Sequence, residues 1–347
     1  MTTVQHNIMS DAYKTIDCIL NKVLCLFIAS LAISAFAQEE SFETPMTGWG
    51  SPDLQGVWTN NTITPFSRPA RFGNQLILNE DEAISLEREV AEYTEQQDQP
   101  SDPDRTAPIK DQIELSDSYN NFWFDDGTRV AVYDGEYRSS LIVDPANGQM
   151  PAYTPQALER ASAARLRFSS DISDAYDGPE SRPLPERCLL SFGSSSGPPM
   201  LPILYNNHYQ IVQSPGYVMI LVEMVHDARI IRIDGDPLPE PLTPWLGDSI
   251  GHWEGDTLVV ETTRFHPLQR FRSSSSAFKV VERFTRVSDN KINYSFTASD
   301  PETFLAPFTA EIPMNITTDR LYEYACHEGN YSLAGVLAGA RLDEVEQ

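Results

Sequence analysis

Between Tyr205 and Gly235 the sequence reads YNNHYQIVQSPGYVMILVEMVHDARIIRIDG, a long apolar, β-branched run that also carries Glu223, His226, Asp227, Arg229 and Arg232. Charges in so apolar a setting are costly unless they are paired or used. Taken as a strand, residues 217–226 have two apolar faces, so Glu223 lies among hydrophobic side chains whichever way it points. A carboxyl in such surroundings is pushed towards its protonated form unless a cation meets it. A raised carboxyl beside a histidine suits general acid–base work. Histidine is the natural proton shuttle near neutral pH. His226, Glu223 and Asp227 are therefore the candidate proton-transfer groups, with Arg229 as the candidate charge stabiliser. A purely structural reading stays open for each. Glu223 could form an ion pair with Arg229, Arg264 or Arg283, and His226-Asp227-x-Arg229 could be a capped turn whose arginine braces the next strand.

A second group of residues is expected at the rim. His252 and Glu254 are two apart and share a face if extended, with Trp253 turned away as packing. In YEYACHEGN, Tyr324 shares a face with Tyr322 and Cys326, and His327-Glu328 falls where a strand is expected to end. These five residues, His252, Glu254, His327, Glu328 and Tyr324, are the candidate substrate-binding set. His208, His226, His252, His266 and His327 all fall in the C-terminal half, which places the expected site there. No HExxH or other metal spacing is present, so no metal site is expected. There is no G-x-S-x-G elbow, P-loop or dinucleotide fingerprint, and the sequence names no cofactor.

The elements that must carry these groups are mostly strands. Apolar and polar residues alternate over residues 209–213, 217–224, 229–233, 257–264, 278–287, 292–298 and 308–316, with polar or Gly-containing turns between them. Leu321 to Cys326 reads as a last strand, and Asn330 to Arg341, rich in small residues, as a packed C-terminal helix. Upstream, Gly56-Val57-Trp58 opens a first strand. Leu78 to Gln97 is helical in pattern. Thr154-Pro155 begins a second helix with Thr154 as N-cap and Pro155 at its first position. Ser139 to Pro151 reads as strand, turn, strand. Ser169 to Pro185 is an acidic, Pro-containing linker and the best boundary between residues 38–185 and 186–347, which are expected to integrate into one domain.

Lysine and arginine number 25 against 50 aspartates and glutamates, for a net charge of −25. That disfavours nucleic acid and anionic membrane surfaces as partners. Residues 1–37 read as an export signal. Lys14 and Lys22 precede or interrupt an apolar run that ends in Ala35-Phe36-Ala37, and the run is shorter than the ~20 residues of a spanning helix. A retained anchor is the alternative; on the signal reading there is no stable membrane insertion after cleavage, and the protein is periplasmic or secreted. Cys188 and Cys326 then remain. A lone pair in an exported chain suggests a disulfide, against two free thiols or a metal-ligand role for Cys326 beside His327.

PDLQGVWTN, RPLPERC, YNNHYQIVQSPGYV, EMVHDARII, GHWEGDTLVVETT, DPETF and YEYACHEGNY together resemble an uncharacterised family of secreted bacterial proteins, over nearly the whole chain after the leader. The resemblance implies export and one architecture, and it brings no activity and no site residues. Separately, Gly56-Val57-Trp58 resembles the Gly-x-Trp signature of lipocalin-like barrels, in which the Trp plugs the closed end.

The expected fold is mainly β: an antiparallel barrel, lipocalin- or calycin-like, or a strongly curved sheet, with helical insertions over one end. The expected function is an exported enzyme working by acid–base chemistry on a small, fairly apolar molecule, as an isomerase, lyase or hydrolase. The alternative is a non-catalytic periplasmic protein that binds a small molecule in the same cavity.

Overall fold

The structure is a computed structural model that describes residues 42–97, 125, 127–169, 174–190, 197–202, 205 and 207–346. The expected export signal, most of the 98–126 stretch and residues 191–196 lie outside the described residues. The chain divides into two units, Met1–Glu43 and Thr44–Gln347, and the account below concerns the second.

Period-two alternation builds a closed barrel. The strands are β1 (Gly56–Thr59), β6 (His208–Ser214), β7 (Tyr217–Val222), β8 (Ala228–Ile233), β9 (Asp248–Glu254), β10 (Thr257–Thr263), β11 (Lys279–Ser288), β12 (Lys291–Ser299) and β13 (Phe308–Ile316). They hydrogen-bond in that order, and β1 closes the ring against β13 through Trp58↔Ile316 and Thr59↔Asn315. β5 (Ile142–Asp144) adds to the far end of β13, and β2 (Ile77–Leu78), β3 (Val132–Tyr133) and β4 (Glu136–Arg138) form a small separate sheet. The Ser139–Pro151 stretch thus gives one strand rather than two.

The expected antiparallel barrel is in fact mixed. β8 and β9 run parallel, with Ile231↔Ser249 and Ile233↔Gly251 paired. The Pro-rich connection from Asp234 to Gly247 is far too long for a hairpin, and a parallel return needs a crossover of about this kind. Asp248 pins the crossover: its carboxylate accepts Arg232 Nη2 at 2.6 Å, Arg264 Nη2 at 2.7 Å and the Leu238 amide at 2.8 Å. Gly251 faces the interior at this pairing. A Cβ there would come within 2.8 Å of Ile231 Cγ2, so the approach requires glycine.

The barrel is filled rather than hollow. Trp58, Tyr209, Phe284, Tyr294, Phe296 and Phe308 all point inward and are buried. Trp58 donates its indole N–H to the Leu54 carbonyl at 3.0 Å, and the Arg286 guanidinium lies 5.6 Å from its ring. Arg229 and Glu282 form a buried acid–base pair inside the barrel. Arg229 Nη2 meets Glu282 Oε1 at 3.1 Å and Nη1 meets Oε2. The Tyr294 hydroxyl donates to Glu282 at 2.9 Å and accepts the Met200 amide at 3.0 Å. Both carboxylate oxygens of Glu282 and both terminal nitrogens of Arg229 thus have a partner, as a buried charge pair requires.

Helices cover the outside. α1 (Glu80–Gln97) starts with a reciprocal cap: Glu82 N–H to Asn79 Oδ1 at 2.9 Å, and Asn79 N–H to Glu82 Oε2 at 2.8 Å, which satisfies two amides that helix geometry would leave unpaired. α2 (Pro155–Ser169) is capped as expected by Thr154, whose hydroxyl accepts the Ala157 amide at 3.1 Å. Two expectations for the C-terminal end are corrected. Residues 321–325 form no strand, because closure of β1 on β13 leaves no barrel edge for another to join. The stretch leads instead into α3 (Cys326–Gly329) and α4 (Tyr331–Glu346). α4 is helical but not packed: none of its described residues is buried, and Tyr331, Leu342 and Val345 are exposed.

What holds this end is a small set of tethers. Cys188 and Cys326 form a disulfide. Asn330 Nδ2 donates to the Glu186 carbonyl at 2.7 Å, and Arg341 Nη2 to the Tyr176 carbonyl at 2.7 Å.

Candidate functional site

The pairing of β6 with β7 sets the site. Tyr209 lies opposite Val222, both facing inward. One step further the pairing brings Glu223 opposite His208, where the Glu223 amide donates to the His208 carbonyl at 3.1 Å. The alternation that sends Tyr209 and Val222 into the core turns His208 outward, and Glu223 meets it there. β7 ends at Val222, earlier than the sequence pattern suggests, because residues 223–226 form a tight turn in which Val225 (φ 64°) and His226 (φ 46°) take left-handed conformations. Such conformations are strained for non-glycine residues and persist only where the surroundings hold them.

Glu223 is buried, and both of its oxygens are engaged. Oε1 accepts the Tyr322 amide at 2.8 Å and Oε2 lies 3.2 Å from His208 Nδ1. The His208 ring is half-surrounded by further acids, with Asp125 Oδ2 at 3.8 Å from Nδ1 and Asp319 Oδ2 at 3.9 Å from Nε2. Asp125 is itself held by Asn61 Nδ2 at 2.6 Å and by the Asn207 amide at 3.3 Å. The hydrogen bond to Glu223 is the main cause that raises the His208 pKa above its ordinary value. Burial opposes it, and the charges of Asp125, Glu223 and Asp319 reinforce it.

These groups open onto a cleft of about 1250 Å³ between the outer side of the β6–β7 corner and the C-terminal segment. Tyr205, Tyr322 and Tyr324 supply aromatic surface, and Leu333 and Val336 of α4 supply the apolar far wall. Burial, then the neighbouring Tyr205, pushes the Tyr324 phenol up, so it stays neutral at working pH. Cys326 also lines the cleft, so the disulfide is part of its wall.

Of the residues expected to act together, Glu223 and Tyr324 line this cleft. The others do not, for identifiable reasons. Arg229 points into the barrel, is buried and pairs with Glu282. His226 is exposed in the strained turn, outside the cleft lining. Asp227 is partly buried, and its Oδ2 is buried with no hydrogen-bond partner among the described residues. Burial pushes its pKa up to about 6, against a lowering by His226. His252 and Glu254 stand in β9, a strand that the alternation does not mark, on the outer face, where His252 Nε2 meets Glu254 Oε1 at 3.2 Å and Arg283 Nη2 meets Glu254 Oε2 at 2.9 Å. That is a solvated surface cluster. His327 and Glu328 are exposed on α3, outside the cleft lining. Two expectations therefore separate: the Arg229–Glu282 pair lies inside the barrel, and the cleft lies outside the barrel wall.

Sequence reasoning missed His208 as the partner of Glu223. The signal was present, since a hairpin around Ser214-Pro215-Gly216-Tyr217 pairs residues whose numbers sum to a constant, which puts 208 against 223. Asp125 and Asp319 lie far away in sequence, and no local pattern points to them. Among the described residues no group of three or more His, Cys, Asp or Glu is arranged to hold a metal ion, and no helix is long and apolar enough to cross a membrane. No family model, no curated protein and no solved structure matches this chain.

Proposed function

We propose that the protein binds a small, partly aromatic or apolar molecule in the cleft beneath α4, and works as an exported binding protein. The observation that carries this reading is the cleft itself: about 1250 Å³ of space beside three tyrosines, two aliphatic side chains and one anchored polar pair, Glu223–His208. Mostly apolar concavities with a few placed polar groups are the usual form of small-molecule sites. The Cys188–Cys326 disulfide supports export, because such bonds persist in oxidising compartments.

Binding is favoured over catalysis because His226, Asp227 and Arg229 do not line the cleft. One observation favours a second reading. Glu223 orients His208 through Nδ1 in the manner of a carboxylate that orients a histidine base. Acid–base chemistry on the bound molecule would then run through His208, not His226.

Native mass spectrometry of the protein purified from its own compartment tests the first reading. The expected result is a retained drug-sized adduct that is lost in Leu333→Trp, where the indole fills the cleft, while the barrel stays folded. An unmodified mass for both proteins, or the same adduct on both, overturns it. Recovery of the adduct chemically changed by wild type and unchanged by His208→Ala would select the catalytic reading instead.

A further inference from the structure

The charge pattern of the cleft narrows its ligand. Asp125, Glu223, Asp319 and Glu323 all line it. Glu186 lines it too, but its carboxylate is already taken by a bidentate contact with Arg182 at 2.8 and 3.0 Å. Against the four acids stand Arg320 and His208. Even with His208 protonated, four negative charges face two positive ones, a surplus of two. The surplus is concentrated at Asp319 and Glu323, which are exposed at the mouth.

The polar centre of the site is already arranged to favour a positive charge. The His208 ring has three carboxylates within 4 Å of its nitrogens, at 3.2, 3.8 and 3.9 Å. The aromatic wall favours the same sign. Tyr205, Tyr322 and Tyr324 line the same cleft, and the face of an aromatic ring carries the negative part of its quadrupole, which attracts a cation and repels an anion. Acids and ring faces in one cleft reinforce each other, since a low-dielectric wall strengthens both. The net charge of −25 adds a long-range field that draws cations to the protein.

On the reading that this cleft is a small-molecule site, we propose that its ligand is an organic cation, an amine or quaternary ammonium group carried on an aromatic or apolar body. The charged head sits between Asp319, Glu323 and the tyrosine faces, and the apolar body lies against Leu333 and Val336. An anionic ligand of the same shape is excluded by charge.

Three probes of one shape and different charge test this: benzylammonium, benzyl alcohol and benzoate, titrated into the intact, disulfide-bonded protein and read by calorimetry. Benzylammonium is expected to bind at least ~10-fold more tightly than benzyl alcohol, with benzoate weakest, a tenfold ratio being about 1.4 kcal/mol. The preference is expected to shrink several-fold in the double variant Asp319→Asn, Glu323→Gln, whose sites are exposed, and to fall again in molar salt. Equal affinities for cation and alcohol, or tightest binding of benzoate, overturn the charge assignment and leave the cleft as a binding site for another class. A cation preference unchanged in the double variant also overturns it, because the cation would then be held elsewhere on the acidic surface. If none of the three binds, the assignment falls, and the adduct measurement on wild type and Leu333→Trp decides separately whether the cleft binds anything.

Discussion

Glu223 Oε2 lies 3.2 Å from His208 Nδ1, a contact made across the β6–β7 hairpin and sealed by the Tyr322 amide on the other carboxylate oxygen. Glu223→Gln removes the largest cause of the raised His208 pKa, so His208 is expected to titrate closer to its ordinary 6.5. Asp125 and Asp319 remain, and part of the shift should persist. The sign for stability follows from linkage. A histidine raised in the folded state contributes stabilisation that is complete below its unfolded pKa and disappears as pH rises through the folded one. Wild type should therefore lose its advantage over the variant as pH rises above 6.5. Imidazole proton shifts in an NMR titration measure the pKa directly; an identical His208 titration in both proteins would refute the coupling.

Arg229 and Glu282 test whether the barrel interior is structural. Arg229→Met strands a buried carboxylate and is expected to cost about 3–5 kcal/mol in urea denaturation. Replacing both partners by apolar residues should cost much less than the two single changes added together. Ligand retention in the cleft should survive in every variant that folds, because neither residue lines it. Loss of retention in a folded double variant would mean that the interior pair serves the site.

The disulfide closes a long loop, with a sequence separation of 138 residues. In the chain-entropy model such a bridge contributes about 5 kcal/mol. Its local effect should be larger than its global one, because α4 has no buried side chain among its described residues to hold it once the bridge is cut. Hydrogen exchange on the Cys188→Ser, Cys326→Ser variant should show residues 322–346 losing far more protection than β6–β13. Unaltered protection in α4 would show that the remaining tethers suffice.

Asp227 is expected to behave as a destabilising carboxylate at neutral pH. Its pKa of about 6 against an ordinary 3.8 means that the folded state holds the proton more tightly than the unfolded chain. Stability therefore falls as pH rises between those two values and stays low above them. Asp227→Asn keeps the shape without the charge, so it should raise the urea midpoint at about pH 8 and change it little at about pH 3, where both states hold the proton. A variant less stable than wild type at the higher pH would show that the carboxylate is engaged as an anion.

Much of the fold is local enough to read from the chain. Alternation along residues 208–316 marks β6 to β8 and β10 to β13 but not β9, and the cap at Thr154 with Pro155 marks a helix, because side-chain period and capping depend on near neighbours. The Cys188–Cys326 pair is expected only on the reading that residues 1–37 are removed, which leaves two cysteines with each other as partners. Closure of the ring is another matter. β1, Gly56–Thr59, seals the barrel between β6 and β13 from more than a hundred residues away, and that closure denies residues 321–325 the edge they would need to become a strand. Strand alternation says that two faces differ without saying which one meets the core. Only the assembled barrel turned Arg229 inward to Glu282 and His208 outward to Glu223. It also brought Asp125 and Asp319 to the same imidazole, contacts between residues that share no segment and that no pattern in the chain connects.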